Sequence, residues 1–201
     1  MAAEVAGTDR RIGVTVGGPV TRSAPWRIAD QHPVTGWLTG SMRLPAGHPV
    51  PPELTSPQAV PHIAVVLGRP LAGPGVSAAD ALAAVASVHA AVELAGADDA
   101  PSWGFLAGPA GRPAATLDLA LEACLVEVAG QVVDSGTGAA AAGHPAEALA
   151  WAANALAAQG AALEPGWLVL TGPLTAPVPV PAGAPLAVHF TTLGSLFLPS
   201  G

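Results

Sequence analysis

The sequence predicts a β-rich α+β domain. Short apolar runs, many of them alternating, are separated by frequent tight turns, and only two stretches carry apolar residues at helical spacing. A strand–turn–strand pattern also lies in the middle of the chain. Several strands with few helices are typical of α+β packing, in which helices cover part of an antiparallel or mixed sheet. We expect the 201 residues to form a single domain, with residues 1–10 flexible.

The N-terminal part predicts short strands and loops, because proline and glycine interrupt it repeatedly. Ile12, Val14 and Val16 alternate with other residues, which indicates a strand. The run IAVVL at residues 63–67 suits a buried strand.

Two helices are predicted, near residues 78–91 and 145–159. Ser77 can cap the first helix, with Asp80 as the acidic half of a capping box. We expect this segment to change to strand near residues 92–94. The second helix has Pro145 at its first position and Gly160 beyond its end, both of which are favoured there.

The rest of the chain predicts strands joined by turns. Residues 123–135, ACLVEVAGQVVDS, form a hairpin pattern with its turn at Ala129 and Gly130. Further strands are expected in WLVLTG, in APVPVPAGAPLAVHF and in LGSLFL.

Charge and composition exclude several classes of protein. The net charge is −7, and the chain has seven arginines but no lysine, so it lacks the basic face that binds nucleic acid or an anionic membrane. No uninterrupted apolar stretch is long enough to span a membrane, and the N-terminus lacks a signal-peptide core. The single cysteine, Cys124, cannot form an internal disulfide and suits a buried core position. We expect a cytoplasmic protein.

Three segments in order resemble the 2-hydroxypentadienoate hydratase / 4-oxalocrotonate decarboxylase family. They are VLGRPLAGPGVSAADALAAV, DSGTGAAAAGHPAEALAWAANALAAQG and LVLTGPLTAPVPVPAGAPLAVHFTTLGSLFL. The resemblance implies the β-roll fold of the fumarylacetoacetate hydrolase C-terminal domain, and assembly as a homo-oligomer or as a complex with a homologue. Family members also carry a further N-terminal helical segment.

The departures from this family concern its metal site. The resemblance places the family's active-site lysine at Arg11, and its Glu-x-Glu metal motif at Val60 and His62. Only the third carboxylate is kept, as Glu93. The family's Mg²⁺ or Mn²⁺ prefers several oxygen ligands, so we expect no metal and no other cofactor. An alternative is a Zn²⁺ site on His62, His89 and Glu93, which requires a helix that continues to Glu93.

The candidate catalytic residues are Glu93 and His62. Apolar neighbours are expected to raise the pKa of Glu93, which would suit a general acid or base. Alternatively, Glu93 forms a buried ion pair with Arg11 or another arginine, and His62 is a packed, hydrogen-bonded core residue. Asp30 and His32 suit a solvated loop.

Several further residues are candidates for substrate binding. Arg11 can clamp an anion by two hydrogen bonds, with a surface salt bridge as the alternative. The resemblance also implies pocket-lining positions, where backbone N–H groups or an aromatic ring would face the substrate; tight turns and core filling are the alternatives. These positions are Gly136, Thr137, Gly138, Thr171, Gly172 and Trp103.

Three hypotheses about function remain open. The first is a metal-independent lyase, isomerase or cyclase for an apolar enol, enone or 2-oxo compound, with natural-product biosynthesis as its setting. The second is a non-catalytic subunit that partners an intact relative. The third is a hydratase or decarboxylase of 2-hydroxy-2,4-dienoates with replacement ligands. The lost carboxylates argue against the third.

Overall fold

The computed structural model describes residues 9–16, 34–52, 54, 56–96 and 104–201. The predictions for Trp103, Asp30 and His32 lie outside these residues. The larger sheet contains β1 (Arg11–Val16), β2 (Val34–Thr39), β3 (Gln58–Leu67), β4 (Val85–Ala95), β5 (Gly104–Ala107), β8 (Leu168–Leu170) and β9 (Val178–Pro179). The smaller sheet contains β6 (Ala123–Val128), β7 (Gln131–Thr137), β10 (Leu186–Phe190) and β11 (Gly194–Leu198). The helices are α1 (Ala78–Ala84) and α2 (Pro145–Ala157).

The larger sheet curls into a roll. Its strand order is β2-β1-β8-β3-β4-β5, with β9 beside β3, and β1 and β8 run parallel while the other strand pairs are antiparallel. Arg43, just beyond β2 at one edge, forms a bridge with Phe105 of β5 at the other edge. The Leu44 amide donates to the Phe105 carbonyl at 2.8 Å. The two edges therefore meet, which confirms the predicted α+β fold with a β-roll.

The curl gives the larger sheet an inner and an outer face. Side chains alternate between the faces of a strand, so Ile63 and Val65 lie on the outer face and pack with the smaller sheet and α2 in the main core. His62 and Ala64 lie on the inner face. A separate inner cluster contains Leu38, Ala64, Ala91, Phe105, Ala107 and Leu170.

The prediction for the first helix was wrong in its length. Ser77 and Asp80 form the predicted capping box, but α1 ends at Ala84 and β4 begins at Val85. An alanine-rich sequence favours helix; here pairing with β3 along most of β4 overrides that preference. The second helix agrees closely with its prediction, and the His144 ring accepts a hydrogen bond from the Ala146 amide at its start.

The predicted hairpin is confirmed as β6 and β7. Ala129 and Gly130 both have positive φ angles, of 51° and 77°, as the two central residues of a type I′ turn require. The smaller sheet has the order β11-β10-β6-β7, and its inward side chains, such as Val126 and Val188, join the main core. No helix in the described part of the chain is both long and apolar enough to cross a membrane.

A buried carboxylate holds the smaller sheet's turn between β10 and β11. Glu122 is 3% exposed. It accepts hydrogen bonds from the Thr192 amide at 2.7 Å, the Thr192 hydroxyl at 2.5 Å and the Leu193 amide at 3.1 Å. A buried charge is tolerated when donors surround it in this way.

We expect the Glu122→Ala substitution to lower the free energy of unfolding by about 3 kcal/mol, because it leaves buried donors without an acceptor. Urea denaturation followed by circular dichroism would measure this change. Glu164→Ala, at an exposed position, is the control and should change stability little. Equal stability of the two variants would show that Glu122 does not hold the turn.

Candidate functional site

The roll interior brings the two predicted catalytic residues, His62 and Glu93, together. β3 and β4 pair so that Val60 lies opposite Glu93 and His62 opposite Ala91, which places His62 and Glu93 diagonally on one face. Nε2 of His62 lies 3.1 Å from Oε2 of Glu93. The side chains of His62 and Glu93 are 2% and 10% exposed. They form a buried polar pair in an otherwise largely apolar surface.

A third polar residue, Thr15, contacts the same carboxylate. Its hydroxyl donates to Oε2 of Glu93 at 3.2 Å from β1, across the roll. Thr15 is 4% exposed. This residue was not predicted, although the alternation of β1 puts Thr15 on the face opposite Val14 and Val16 and so signals an inward position.

The Gly172 amide determines which nitrogen of His62 carries a proton. It donates to Nδ1 of His62 at 2.9 Å. A nitrogen that accepts a hydrogen bond has no proton, so the ring is neutral and its proton lies on Nε2. A Cβ atom at residue 172 would lie 2.5 Å from this Nδ1, so only glycine permits the approach.

His62 Nε2 is buried and makes no hydrogen bond with suitable geometry, even though the distance to Glu93 is short. The distance is short enough for a hydrogen bond, whereas the angles do not fit one. We take the contact as electrostatic, because weak alignment reduces a hydrogen bond even at close range. A buried N–H donor without a good acceptor is rare in proteins and often marks a functional site.

The other predicted binding residues form backbone contacts or lie at the surface. The Thr171 hydroxyl and amide both donate to the Ile63 carbonyl, at 2.8 Å and 3.0 Å, so this residue braces β3. The Gly138 amide donates to the Glu122 carbonyl at 2.9 Å, and Thr137 is exposed at the end of β7. Cβ atoms at Gly136 and Gly138 would approach the carbonyl oxygens of Leu174 and Leu119 within 2.0 Å and 1.7 Å. These glycines permit close backbone packing.

Arg11 does not meet the pair. It lies at the start of β1, four residues and roughly 13 Å along the strand from Thr15. Its guanidinium group lies over the Trp37 ring, 4.1 Å from the ring centre. Trp37 in turn contacts Trp167 edge-on, with ring centres 5.8 Å apart.

His89 does not join His62 and Glu93 either. Because β4 is a strand throughout, the helix that the three-residue zinc hypothesis requires does not form. The ring of His89 is hydrogen-bonded to Ser87 and Gly108 instead. In the described part of the chain no group of three histidine, cysteine, aspartate or glutamate side chains is arranged to hold a metal ion.

The groups of the pair do not fit Mg²⁺ or Mn²⁺. These ions take several oxygen ligands, whereas Val60 has no ligand atom and His62 uses Nδ1 for the Gly172 amide. Nε2 of His62 carries a proton, and a protonated nitrogen cannot ligate a cation. Glu93 and the neutral Thr15 hydroxyl alone form a poor site for such an ion.

Two other features of the described chain lie elsewhere. An open cleft of about 500 Å³ runs beside the start of α2 and is lined by Ala142, Gly143, His144, Glu147 and Trp151. It contains none of the predicted site residues. Cys124 is buried, as predicted, and burial raises the pKa of its thiol to about 11.

Curated relatives of this chain include a dienoate hydratase and an oxalocrotonate decarboxylase. It is 36% identical over 193 residues to 2-hydroxyhexa-2,4-dienoate hydratase of Comamonas testosteroni, covering 87% of this chain and 72% of that protein. It is 34% identical over 185 residues to 4-oxalocrotonate decarboxylase of Pseudomonas putida, covering 85% of this chain and 70% of that protein. No protein-family model matches the chain.

Solved structures show the same fold. 4-Oxalocrotonate decarboxylase of Pseudomonas putida G7, complexed with calcium and acetate, superposes with a TM-score of 0.84 at 30% identity, covering 94% of this chain and 77% of that one. The same enzyme is also known with magnesium and adipate. Fumarylacetoacetate hydrolase of Exiguobacterium antarcticum superposes with a TM-score of 0.73 at 16% identity, covering 96% of this chain and 76% of that one, a likeness of fold.

We expect the ring proton of His62 to lie on Nε2, because the Gly172 amide occupies Nδ1. Nitrogen NMR of the imidazole, assigned with a His62→Gln variant, would identify the protonated nitrogen. Proton signal on Nδ1 would contradict the arrangement. A Gly172→Ala variant should shift the His62 resonances, because the new methyl group displaces the ring.

Proposed function

The chain belongs to the 2-keto-4-pentenoate hydratase / 4-oxalocrotonate decarboxylase family of the fumarylacetoacetate hydrolase superfamily, and we propose that it moves a proton on an uncharged enol or enone without a divalent ion. The reaction would be of the isomerase, cyclase or lyase type. The observation that carries this proposal is the buried Nε2–H of His62 beside Glu93, at the position where the family has metal-binding carboxylates.

Glu93 would act as the general base and acid. It would take a proton from one carbon or oxygen of the substrate and return it to another, which needs a single carboxylate within reach of both positions. The hydroxyl of Thr15 donates to Oε2 and holds the carboxylate against β1. A positioned group of this kind contributes roughly 10²–10⁴-fold to rate.

His62 would donate a hydrogen bond to the substrate oxygen. Its Nε2 proton is held in place because Gly172 fixes the ring through Nδ1, so the donor is already oriented before substrate binds. An enolate oxygen that develops negative charge would give Nε2 the acceptor that it lacks in the free protein. Loss of one such donor costs roughly 10²–10³-fold in kcat.

The substrate is expected to be uncharged near the reacting atoms. A 2-oxo acid would bring its carboxylate against Glu93, and the residues present do not fit the cation that would neutralise both. On the strands either side of β4, Val60 and Phe105 lie directly opposite Glu93, and both are apolar. Apolar walls with a few convergent polar groups are typical of sites for neutral small molecules.

Two matched substrates test this proposal: 2-hydroxyhexa-2,4-dienoate and its methyl ester. We expect the ester to be ketonised faster than the acid, with no loss of rate in excess chelator, as followed by the ultraviolet absorbance of the dienol. Glu93→Gln should lose at least about 10²-fold in kcat, and His62→Ala a similar factor. Glu164→Gln, which is exposed, is the control and should keep full activity.

Three outcomes would contradict it. Preference for the acid together with inhibition by chelator would favour a hydratase with replacement ligands. Unchanged rates in both variants would remove Glu93 and His62 from the mechanism. No turnover of either substrate, or of related uncharged enols, would favour a non-catalytic subunit.

A second copy of the chain would cover the outer face of the smaller sheet. Leu125, Val132 and Phe197 are 44%, 62% and 55% exposed there. Near them, Nε2 of His189 lies 3.5 Å from Oε2 of Glu127. A two-fold axis would let each Glu127 face the other copy's His189.

We expect a homo-oligomer at micromolar concentration, and Phe197→Asp should shift it to monomer, because a charge would enter an apolar interface. Light scattering measures the mass directly. Leu82→Asp, on α1 at 37% exposure, is the control and should leave the mass unchanged. A monomeric wild-type protein would contradict this assembly.

A further inference from the structure

Ser87 and His89 form a hydrogen-bonded pair outside the Glu93 site. Both lie on β4, two residues apart, so their side chains project from the same face of the strand. The Ser87 hydroxyl and Nε2 of His89 are 2.8 Å apart, and Nδ1 of His89 is 2.8 Å from the Gly108 carbonyl oxygen. Both residues are half-buried, so solvent reaches them.

The hydrogen bonds determine the proton positions in this pair. A carbonyl oxygen can only accept, so Nδ1 of His89 carries the proton that it donates to Gly108. The neutral ring then has its lone pair on Nε2, and Ser87 must donate to it. A serine hydroxyl directed at the lone pair of an oriented histidine is the arrangement of an activated nucleophile.

A bulge in the segment that pairs with this part of β4 lies against His89. The Gly108 amide donates to the Ala90 carbonyl, and Val88 and Arg112 exchange two backbone hydrogen bonds, so residues 109–111 stand opposite His89 alone. A Cβ atom at Gly111 would lie 2.8 Å from Nε2 of His89 and 3.0 Å from Cβ of Ser87, which shows that bare backbone lies against the pair. The amides of Ala110 and Gly111 donate to no group within the described chain.

We propose that Ser87 is a nucleophile, with His89 as its base, which takes acyl groups from small esters at a second site. The hydroxyl and its oriented base are present, and the backbone of residues 109–111 lies against them, where an amide would receive the oxyanion. This site is distinct from the Glu93 site, because Ser87 lies six residues, roughly 20 Å, along β4 from Glu93.

The reaction needs only the ester and water as reactants. The Ser87 oxygen attacks the ester carbonyl carbon while its proton moves to Nε2 of His89, and the tetrahedral intermediate expels the alcohol, which takes that proton. Water then attacks the acyl-serine with His89 again as base, and the carboxylic acid leaves. A carbonyl orients His89 here in place of a carboxylate, so the imidazolium is less stabilised and slow turnover of activated esters is expected.

A fluorophosphonate probe tests this proposal on the whole protein, since it phosphonylates an activated serine with loss of fluoride. We expect one adduct, mapped to Ser87 by peptide mass spectrometry. Labelling should disappear in Ser87→Ala and slow by at least about 10²-fold in His89→Gln, which keeps the serine but removes the base. Glu164→Gln, at an exposed position outside both sites, should label like the wild type.

Ser135→Ala is the matched control, because Ser135 is an exposed strand serine. Hydrolysis of p-nitrophenyl acetate by the same proteins is the second readout and should follow the labelling. An unlabelled Ser87 in wild-type protein, or equal labelling rates in wild type and His89→Gln, would overturn the proposal. The wild-type mapping decides this even if a variant fails to fold.

Discussion

The antiparallel pairing of β3 with β4 constrains most of the structure. It runs from the pair of Gln58 and Ala95 to the pair of Leu67 and Val85, and both strands alternate between the main core and the roll interior. A shift of one residue would exchange the two faces and bury the wrong side chains. The register therefore determines that His62 and Glu93 share the interior, while Ile63 and Val92 join the main core.

Polar groups inside the roll are costly unless they have partners, and each one has a specific backbone or side-chain contact. The Thr171 hydroxyl and amide both bind the Ile63 carbonyl, and the Gly172 amide binds the ring of His62. These two residues follow β8 directly, so one short segment both braces β3 and fixes the tautomer of its histidine. Among the described residues the exception is Nε2 of His62, whose 3.1 Å contact with Glu93 lacks hydrogen-bond geometry, and an unsatisfied buried donor costs about 1–3 kcal/mol. A bound ligand that supplies an acceptor would remove this cost.

The resemblance places the family's metal ligands at Val60, His62 and Glu93, and these residues offer a different chemistry from three carboxylates. A divalent ion holds and polarises an anionic substrate; a neutral imidazole beside one carboxylate instead offers a donor and an acceptor. Such a pair suits proton transfer on a neutral substrate, and it makes binding of a second anion unfavourable. The fold is shared with the decarboxylase, as the TM-score of 0.84 shows.

Local signals in the sequence predicted a large part of the fold. The capping box at Ser77, the turn at Ala129 and Gly130 and the start of α2 at Pro145 were all predictable, because each depends on residues that are close in the chain. The family motifs predicted the roll, and they also placed His62 and Glu93 at one site. The end of α1 was predicted too late, because the strand at Val85 is formed by hydrogen bonds to distant β3.

Contacts between distant segments could not be predicted in the same way. The tautomer of His62 depends on Gly172, which is 110 residues away, and Thr15 reaches Glu93 across 78 residues. The Arg11 side chain packs on Trp37, away from the pair, because of the position of β1 in the sheet. The pair of Ser87 and His89 was not predicted, because both residues fell in the predicted first helix, where side chains at i and i+2 do not face each other. The Gly108 carbonyl that orients the ring also comes from a bulge that only the folded sheet creates. Residue types come from the chain itself, whereas proton positions and orientations depend on which distant groups the fold brings within hydrogen-bonding distance.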